Sequence, residues 1–359
     1  MEDKDIKCFE KDIEIPEIVR SKADNAFSQI RKEYDMKKNN RRYLHFFKSQ
    51  AAAAAFAIVI AGAGVTAVAA GVNLWSDGIL QNLKATPEQQ KALTDKGMAV
   101  SSDNKDLSEL AITDNGVTIQ PDTVVVDDRA AHVSFRITGA SYYDAKAFKT
   151  SNIYLDSDKK TSDGLHISSL NTGAGFKDGS KAADKILEYD VDIHMPDNNS
   201  LVGNTVHIDL TDLGSCDHNG NFNTSVKGKW DFTIQLPDVS EDKTITVNKK
   251  IDGSDFSVDS VKISPLSIKV EYSSEITHKL VPEDQETDDT KAPTLAGIKM
   301  KDGTEYTSDI LGAGNNGYTS QDGKKAEDSF SFAKVVDTDQ VSAILVNSKN
   351  GEIAEVPID

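Results

Sequence analysis

The run Asp156-Ser-Asp-Lys-Lys-Thr-Ser-Asp163-Gly places carboxylates at intervals that could wrap a calcium ion. A calcium loop needs oxygen ligands at alternate positions and a glycine at its sharp turn. Lys160 and Thr161 stand at the third-ligand and glycine positions, so the run reads as a solvated turn. Asp217-His-Asn-Gly-Asn misses the pattern too. The seven histidines are scattered, and each reads as a strand or surface residue rather than a base. The signatures G-x-S-x-G, H-E-x-x-H and the P-loop do not occur. Carboxylate pairs are plentiful in so acidic a chain, and nearness in sequence does not identify a glycosidase pair. The expectation is a protein that is not an enzyme, with no catalytic residues, no metal ligands and no cofactor.

Two cysteines, Cys8 and Cys216, are too few for a disulfide framework, and Cys216 reads as a small buried hydrophobe. The net charge of −18 argues against nucleic acid as a partner. That charge is unevenly spread. Residues 1–48 carry 12 Lys/Arg against 10 Asp/Glu, and the rest of the chain carries 28 against 48. Between the two regions lies AAAAAFAIVIAGAGVTAVAAGV, residues 51–72, which contains no charge.

Those 22 residues would extend about 33 Å as a helix, close to the roughly 30 Å of a bilayer core. Their large apolar side chains are few, so insertion is only modestly favourable. Lys37, Lys38, Arg41, Arg42 and Lys48 precede the stretch and Asp77 follows it, which sets the N-terminus inside. Trp75 suits the far interface. The long segment before the stretch argues against a cleaved signal peptide, although Ala67-Val68-Ala69 has the look of a cleavage site. A buried soluble helix is the other alternative. Ala63, Ala67 and Gly71 have the small-residue spacing that allows a homodimer through the span.

Before the span, Ile15, Ile18, Val19, Ala23, Ala26, Phe27, Ile30 and Tyr34 recur at helical spacing, which predicts an amphipathic helix over 16–34. So short an arm cannot build a core around that stripe. Ile15, Ile18, Val19, Phe27 and Ile30 are therefore the candidate partner-binding residues. The partner would be a protein, and the alternative is a plain stalk.

Beyond the span, residues 73–109 read as short helices and a linker, with Thr86-Pro87-Glu88 opening the second helix. From there the period becomes two. Val133, Phe135 and Ile137 alternate with His132, Ser134 and Arg136, and Trp230, Phe232, Ile234 and Leu236 form one apolar face. Asp302-Gly303 predicts a two-residue hairpin turn. The expected fold is mainly β, with two antiparallel β-sandwich (Ig-like) domains at 110–237 and 243–359, both extracellular. A transmembrane helix at 49–72 and a cytoplasmic arm at 1–48 complete a cell-membrane protein.

The stretches IPEIVRSKADNAFSQI, NLWSDGILQNLKATPEQQKALTDKG, GVTIQPDTVVVDDRAAHVSFRI, GKWDFTIQL and FSVDSVKISPLSIKVEY, in this order, resemble a family of single-pass proteins of Gram-positive bacteria. It is domain-of-unknown-function family 4179, often followed by a domain of family 5643. The resemblance implies an anti-sigma-factor-like regulator with a sigma factor as the cytoplasmic partner, and it implies no catalytic residues. Unlike better-understood anti-sigma proteins, the chain carries no His/Cys zinc motif. The rival expectation is a surface-anchored structural or adhesive protein. The extracellular ligand is unknown on either reading.

Overall fold

The computed structural model describes residues 75–101, 105–140, 146–160, 166–178, 187–195, 199–276, 292–307, 309–312, 318–320, 322–347 and 352–358. All fall within one compact unit, Ala55–Asp359. The predicted amphipathic helix at 16–34 and the apolar stretch at 51–72 lie outside them. Among the described residues no helix is long and apolar enough to cross a membrane.

The chain is mainly β, and its sheets are antiparallel. Two helices come first, α1 (Asp77–Asn82) and α2 (Pro87–Asp95), followed by β1 (Ala99–Ser101) and the single turn α3 (Lys105–Ser108). Then come β2 (Ile112–Asp114), β3 (Val117–Val126), β4 (Ala130–Thr138), β5 (Ala147–Leu155), β6 (Lys159–Lys160), β7 (His166–Ile167) and β8 (Asn171–Asp178). The strands β9 (Leu187–His194), β10 (Thr205–Cys216) and β11 (Phe222–Gln235) complete a first group. The second group is β12 (Lys243–Lys250), β13 (Phe256–Ile263), β14 (Ser267–Ser274), β15 (Thr294–Met300), β16 (Glu305–Tyr306), β17 (Tyr318–Thr319), β18 (Lys325–Ser331), β19 (Val341–Asn347) and β20 (Ile353–Pro357).

In the first group a sheet ordered β1-β3-β4-β9-β8, with β2 also on β3, faces a three-stranded sheet ordered β11-β10-β5. Val133, Phe135 and Ile137 of β4 and Trp230, Phe232 and Ile234 of β11 belong to one buried cluster. Phe135 and Phe232 meet across it with centroids 4.9 Å apart. The Trp230 indole donates to the Val117 carbonyl oxygen at 3.2 Å, which satisfies its buried N–H and ties the two sheets together. Pro121 interrupts β3 without breaking it, because it sits where the β3–β4 register shifts and no ladder donor is required.

The second group pairs a sheet ordered β12-β13-β14-β18-β17 with one ordered β16-β15-β19-β20. Its separate cluster includes Val258, Val261, Val270, Ile298, Ile344 and Val356. Asp328 is buried in it, accepting from Leu295 N at 2.6 Å and Tyr272 Oη at 3.3 Å. Burial pushes the Asp328 carboxyl up to about 6 against those hydrogen bonds, and Glu327 adds to the rise.

Three expectations are corrected. The β15–β16 connection has Met300 N donating to Thr304 O at 2.8 Å, so Lys301-Asp302-Gly303 form a three-residue loop rather than a two-residue turn. Gly303 takes φ +87°, the left-handed position such loops require. A two-residue turn with both φ values positive occurs instead at Asn115-Gly116, closing β2 on β3. Cys216 is free and exposed, because it ends β10 beyond the reach of the core. Trp75 is buried at 4% exposure rather than presented to an interface, because it packs in an apolar cluster with Ile79 and Leu83.

The polar face of β4 is covered as well, with His132 and Ser134 at 5% and 0% exposure. A second layer lies over that face.

Candidate functional site

On β9 the residues Glu188, Asp190, Asp192 and His194 recur at every second position and so share one face of the sheet. Register sets His132 opposite Asp192, Ser134 opposite Asp190 and Arg136 opposite Glu188. Covering such a face costs free energy unless its groups find partners. Helix α1 supplies several. Gly78 N donates to Glu188 Oε2 at 2.5 Å, and Asn82 Nδ2 donates to Asp192 Oδ2 at 3.1 Å. Just before the helix, Ser76 N donates to Thr123 Oγ1 at 3.3 Å. Burial is the main cause that holds the Glu188 carboxyl above its usual range, against the Gly78 N–H.

The approach of α1 is close enough to dictate sequence. A Cβ at position 78 would lie 2.3 Å from Asp190 Oδ2, so any side chain there must displace that carboxylate or the helix. Ser76 caps α1 by accepting from Ile79 N, and Thr86 with Gln89 forms a reciprocal capping box on α2.

The same segment also reaches the second β-group. Lys84 N donates to Ala333 O at 2.9 Å, and Val335 N donates to Lys84 O at 2.8 Å. Gln89 Nε2 donates to Val335 O at 3.1 Å. A third apolar cluster gathers Trp75, Ile79, Leu83, Leu93 and Met98 with Val125 and Ala130 from the first group and Leu266 and Val335 from the second. Trp75 is buried because it belongs to this cluster. A cleft of about 340 Å³ opens between α2 and the second group, with Leu93, Pro265 and Val336 in its wall and Lys96–Glu241 and Lys243–Asp339 ion pairs beside it.

The β3–β4 turn makes the direct contact between the groups. Asp127 is fully buried. Its Oδ1 accepts from Arg129 N at 2.9 Å and Ala130 N at 2.6 Å, and its Oδ2 accepts from Ser267 Oγ at 2.9 Å and from Ser264 Oγ. Burial raises its carboxyl against all four bonds. Asp128 pairs with Lys262, which also lies 3.9 Å from Asp242. Burial acts to raise the Asp128 carboxyl, but Lys262, Ser200 and Arg129 together outweigh it and hold the carboxyl low. Asp242 is pushed up to about 6 by burial, opposed by Ser240, with the Asp127 and Asp128 charges adding to the rise.

Beside α1 is a small cleft of about 120 Å³ lined by His132, Asn171, Thr172, Gly173, Asp192, Ile193 and His194 from the first group and Ser331 from the second. His132 Nδ1 lies 2.7 Å from Asp192 Oδ1. Burial, with the Arg129 charge adding to it, brings His194 down to about 4, so it is neutral at neutral pH.

A second polar array lies on the three-stranded sheet. Thr233 Oγ1 is 3.2 Å from His207 Nδ1, and His207 Nε2 is 2.5 Å from Asp156 Oδ1. The order hydroxyl, imidazole, carboxylate matches that of an acyl-transfer triad. The setting does not. The Asp156 side chain is 68% exposed, and Thr233 stands mid-strand, where neighbouring N–H groups serve the β10–β11 ladder rather than an oxyanion. The Tyr154 ring stacks on His207 with centroids 4.8 Å apart, and burial with Asp209 pushes its phenol up to about 12. The Asp-rich turns are similarly self-contained. Asp217 accepts from Asn219 N, Asn221 N and Asn221 Nδ2, and Asp158 from Leu155 N and Ser169 N.

The predicted partner-binding residues Ile15, Ile18, Val19, Phe27 and Ile30 lie outside the described residues. Sequence reasoning missed Gly78, Asp127, Asp190 and the His132–Asp192–His194 group. The alternating polar residues of LEYDVDIH carry the pattern of an ordinary solvent face, and nothing local distinguishes a face covered by a second layer.

No protein-family model matches the chain, and no curated protein matches it. Among solved structures, it is similar to a conserved domain protein from Bacillus anthracis at 16% identity and a TM-score of 0.43. That match covers 69% of this chain and 86% of that one.

Proposed function

We propose that the chain is a membrane-anchored, anti-sigma-factor-like regulator. Two Ig-like sandwiches outside the cell are coupled through α1 and α2 to a span at 51–72. The inner helix bearing Ile15, Ile18, Val19, Phe27 and Ile30 holds a cytoplasmic protein, with a sigma factor as the expected partner. One observation carries the reading. The segment that would leave the membrane is built into the joint between the two β-groups, hydrogen-bonded to β9 on one side and to Ala333 and Val335 on the other. A passive tether needs no such contacts. A coupling element does, because a change between the groups must alter what holds this segment.

The test is co-purification from membranes with the full chain as bait. A cytoplasmic protein captured by wild type and lost on Ile18→Asp with Phe27→Asp supports the reading. Unchanged capture sinks it and favours a surface anchor, for which residues 1–36 are dispensable.

A further inference from the structure

We propose that the contact between the two β-groups is a proton-operated switch, which tightens when Asp242 is protonated and loosens when it is ionised. It offers the regulatory reading a signal, mild acidification, but rests on the joint alone.

The joint gathers three carboxylates around one shared lysine. The β3–β4 turn of the first group brings Asp127 and Asp128, and the second group brings Lys262 from β13 and Asp242 from just before β12. Asp127 is keyed into the β13–β14 turn. Its Oδ2 accepts from the Ser264 and Ser267 hydroxyls, and Ser264 Oγ in turn accepts from Leu266 N at 3.1 Å and Ser267 N at 3.0 Å. Lys262 pairs with Asp128 across the joint and lies 3.9 Å from Asp242 within its own group. The Asp128 and Asp242 side chains are only 15% and 16% exposed, so water screens their charges poorly.

The remaining charged groups nearby are engaged. Glu241 and Lys243, the sequence neighbours of Asp242, pair with Lys96 and Asp339. Lys269 of β14 is held between Glu271 and Glu327. Arg129 donates to Met195 O at 3.4 Å, and its charge acts on Asp128, Glu271 and His194. Ser240 Oγ donates to Asp242 Oδ2 at 2.5 Å from the same segment.

The direction of the switch follows from the side to which each group belongs. Asp242 and Lys262 stay together when the β-groups part, whereas Asp127 and Asp128 leave with the first group. Parting relieves an ionised Asp242 of two like charges, leaves Lys262 to it undivided and admits water. An ionised Asp242 therefore favours the parted joint, and a proton on it removes the repulsion and favours the closed one. In the closed joint Asp242 stands at about 6 against an ordinary 3.8. Where parting restores the ordinary value, the closed-to-parted ratio rises about tenfold from pH 7.5 to pH 5. Burial raises Asp127 as well, which acts in the same direction.

The experiment measures the distance between the groups in the purified full chain. Cys8→Ser leaves Cys216, free and exposed, as the spin-label site on the first group, and Ile276→Cys, at an exposed position, supplies one on the second. Double electron–electron resonance at pH 7.5 should show a longer-distance population that gives way to the closed distance at pH 5, with the ratio shifting about tenfold. Asp242→Asn should hold the closed distance at both pH values. Asp328 also stands at about 6 but is bonded to Leu295 and Tyr272 inside the second group, so Asp328→Asn should leave the response unchanged. A single distance at both pH values in the otherwise wild-type chain, parting on acidification, or a response that survives Asp242→Asn would each overturn the proposal. None of these outcomes touches the arm at 1–48, so the capture experiment tests the regulatory reading separately.

Discussion

Gly78→Ala separates packing from propensity by the sign of its effect. On an unobstructed helix, alanine in place of glycine stabilises by up to about 1 kcal/mol. At this position the new Cβ would lie 2.3 and 2.5 Å from the two Asp190 carboxylate oxygens and 2.7 Å from Cγ. Ordinary contact begins near 3.4 Å, so something must move by about 1 Å. Asp190 is 2% exposed, so either its carboxylate turns within a buried setting or α1 lifts. Overpacking of this kind costs about 1–3 kcal/mol. Losing the Gly78–Glu188 bond to a charged acceptor adds about 1.5–3 kcal/mol where the helix lifts fully. The expected net change is a destabilisation of about 2–4 kcal/mol, opposite in sign to propensity. Urea unfolding reads it, followed by Trp75 fluorescence in a Trp230→Phe background. Adding Asp190→Ala should recover at least about 1 kcal/mol as a coupling term in the double-mutant cycle. A neutral or stabilising Gly78→Ala, or a cycle with no coupling, would refute the packing of α1 on β9.

Two further outcomes follow from buried carboxylates at the joint and in the core of the second group. Asp242 and Asp328 each sit at about 6, above their ordinary 3.8, so the folded chain holds these protons more tightly than the unfolded one. Their burden on stability at neutral pH is lifted as pH falls through 6, and the melting temperature should rise between about pH 7.5 and 5. Asp242→Asn should flatten that rise, whereas a melting temperature that falls over this window would contradict the assignment. Below roughly pH 4 the trend should reverse, as carboxylates held low, such as Asp128, take up protons and lose their stabilising contacts. Asp127→Ala strips the partner from two hydroxyls and two backbone N–H groups, and should cost about 2–4 kcal/mol in chemical denaturation. An effect under about 0.5 kcal/mol would mean that the turn does not hold the two groups together.

The apolar alternation of β4 and β11 was legible because one sheet face meets a core, and period two then fixes which residues go inside. The Thr86-Pro87 helix start was legible because its cap is local in sequence. What stayed hidden depends on a second covering layer. The face bearing Glu188, Asp190 and Asp192 is written like a solvent face, and only the arrival of α1 from far upstream buries it. Trp75 misled for the same reason, since an indole suits a membrane interface and a protein joint equally well. His132 and His194 come together through strand pairing, which leaves no short motif to find. The Asp302-Gly303 turn was placed correctly but given one residue too few, because Asp-Gly serves both loop lengths.

The central claim is that the joint around α1 and α2 is coupled to the inner arm. It is tested most directly in cells, by comparing transcripts controlled by the cytoplasmic partner among wild type, Gly78→Ala and a chain lacking residues 1–36, at matched protein levels in the membrane. The account predicts that removing residues 1–36 releases the partner and changes those transcripts constitutively, and that Gly78→Ala shifts them without touching the arm. Transcripts that respond to the deletion but not to Gly78→Ala would contradict the coupling. Transcripts that respond to neither would contradict the regulatory function itself.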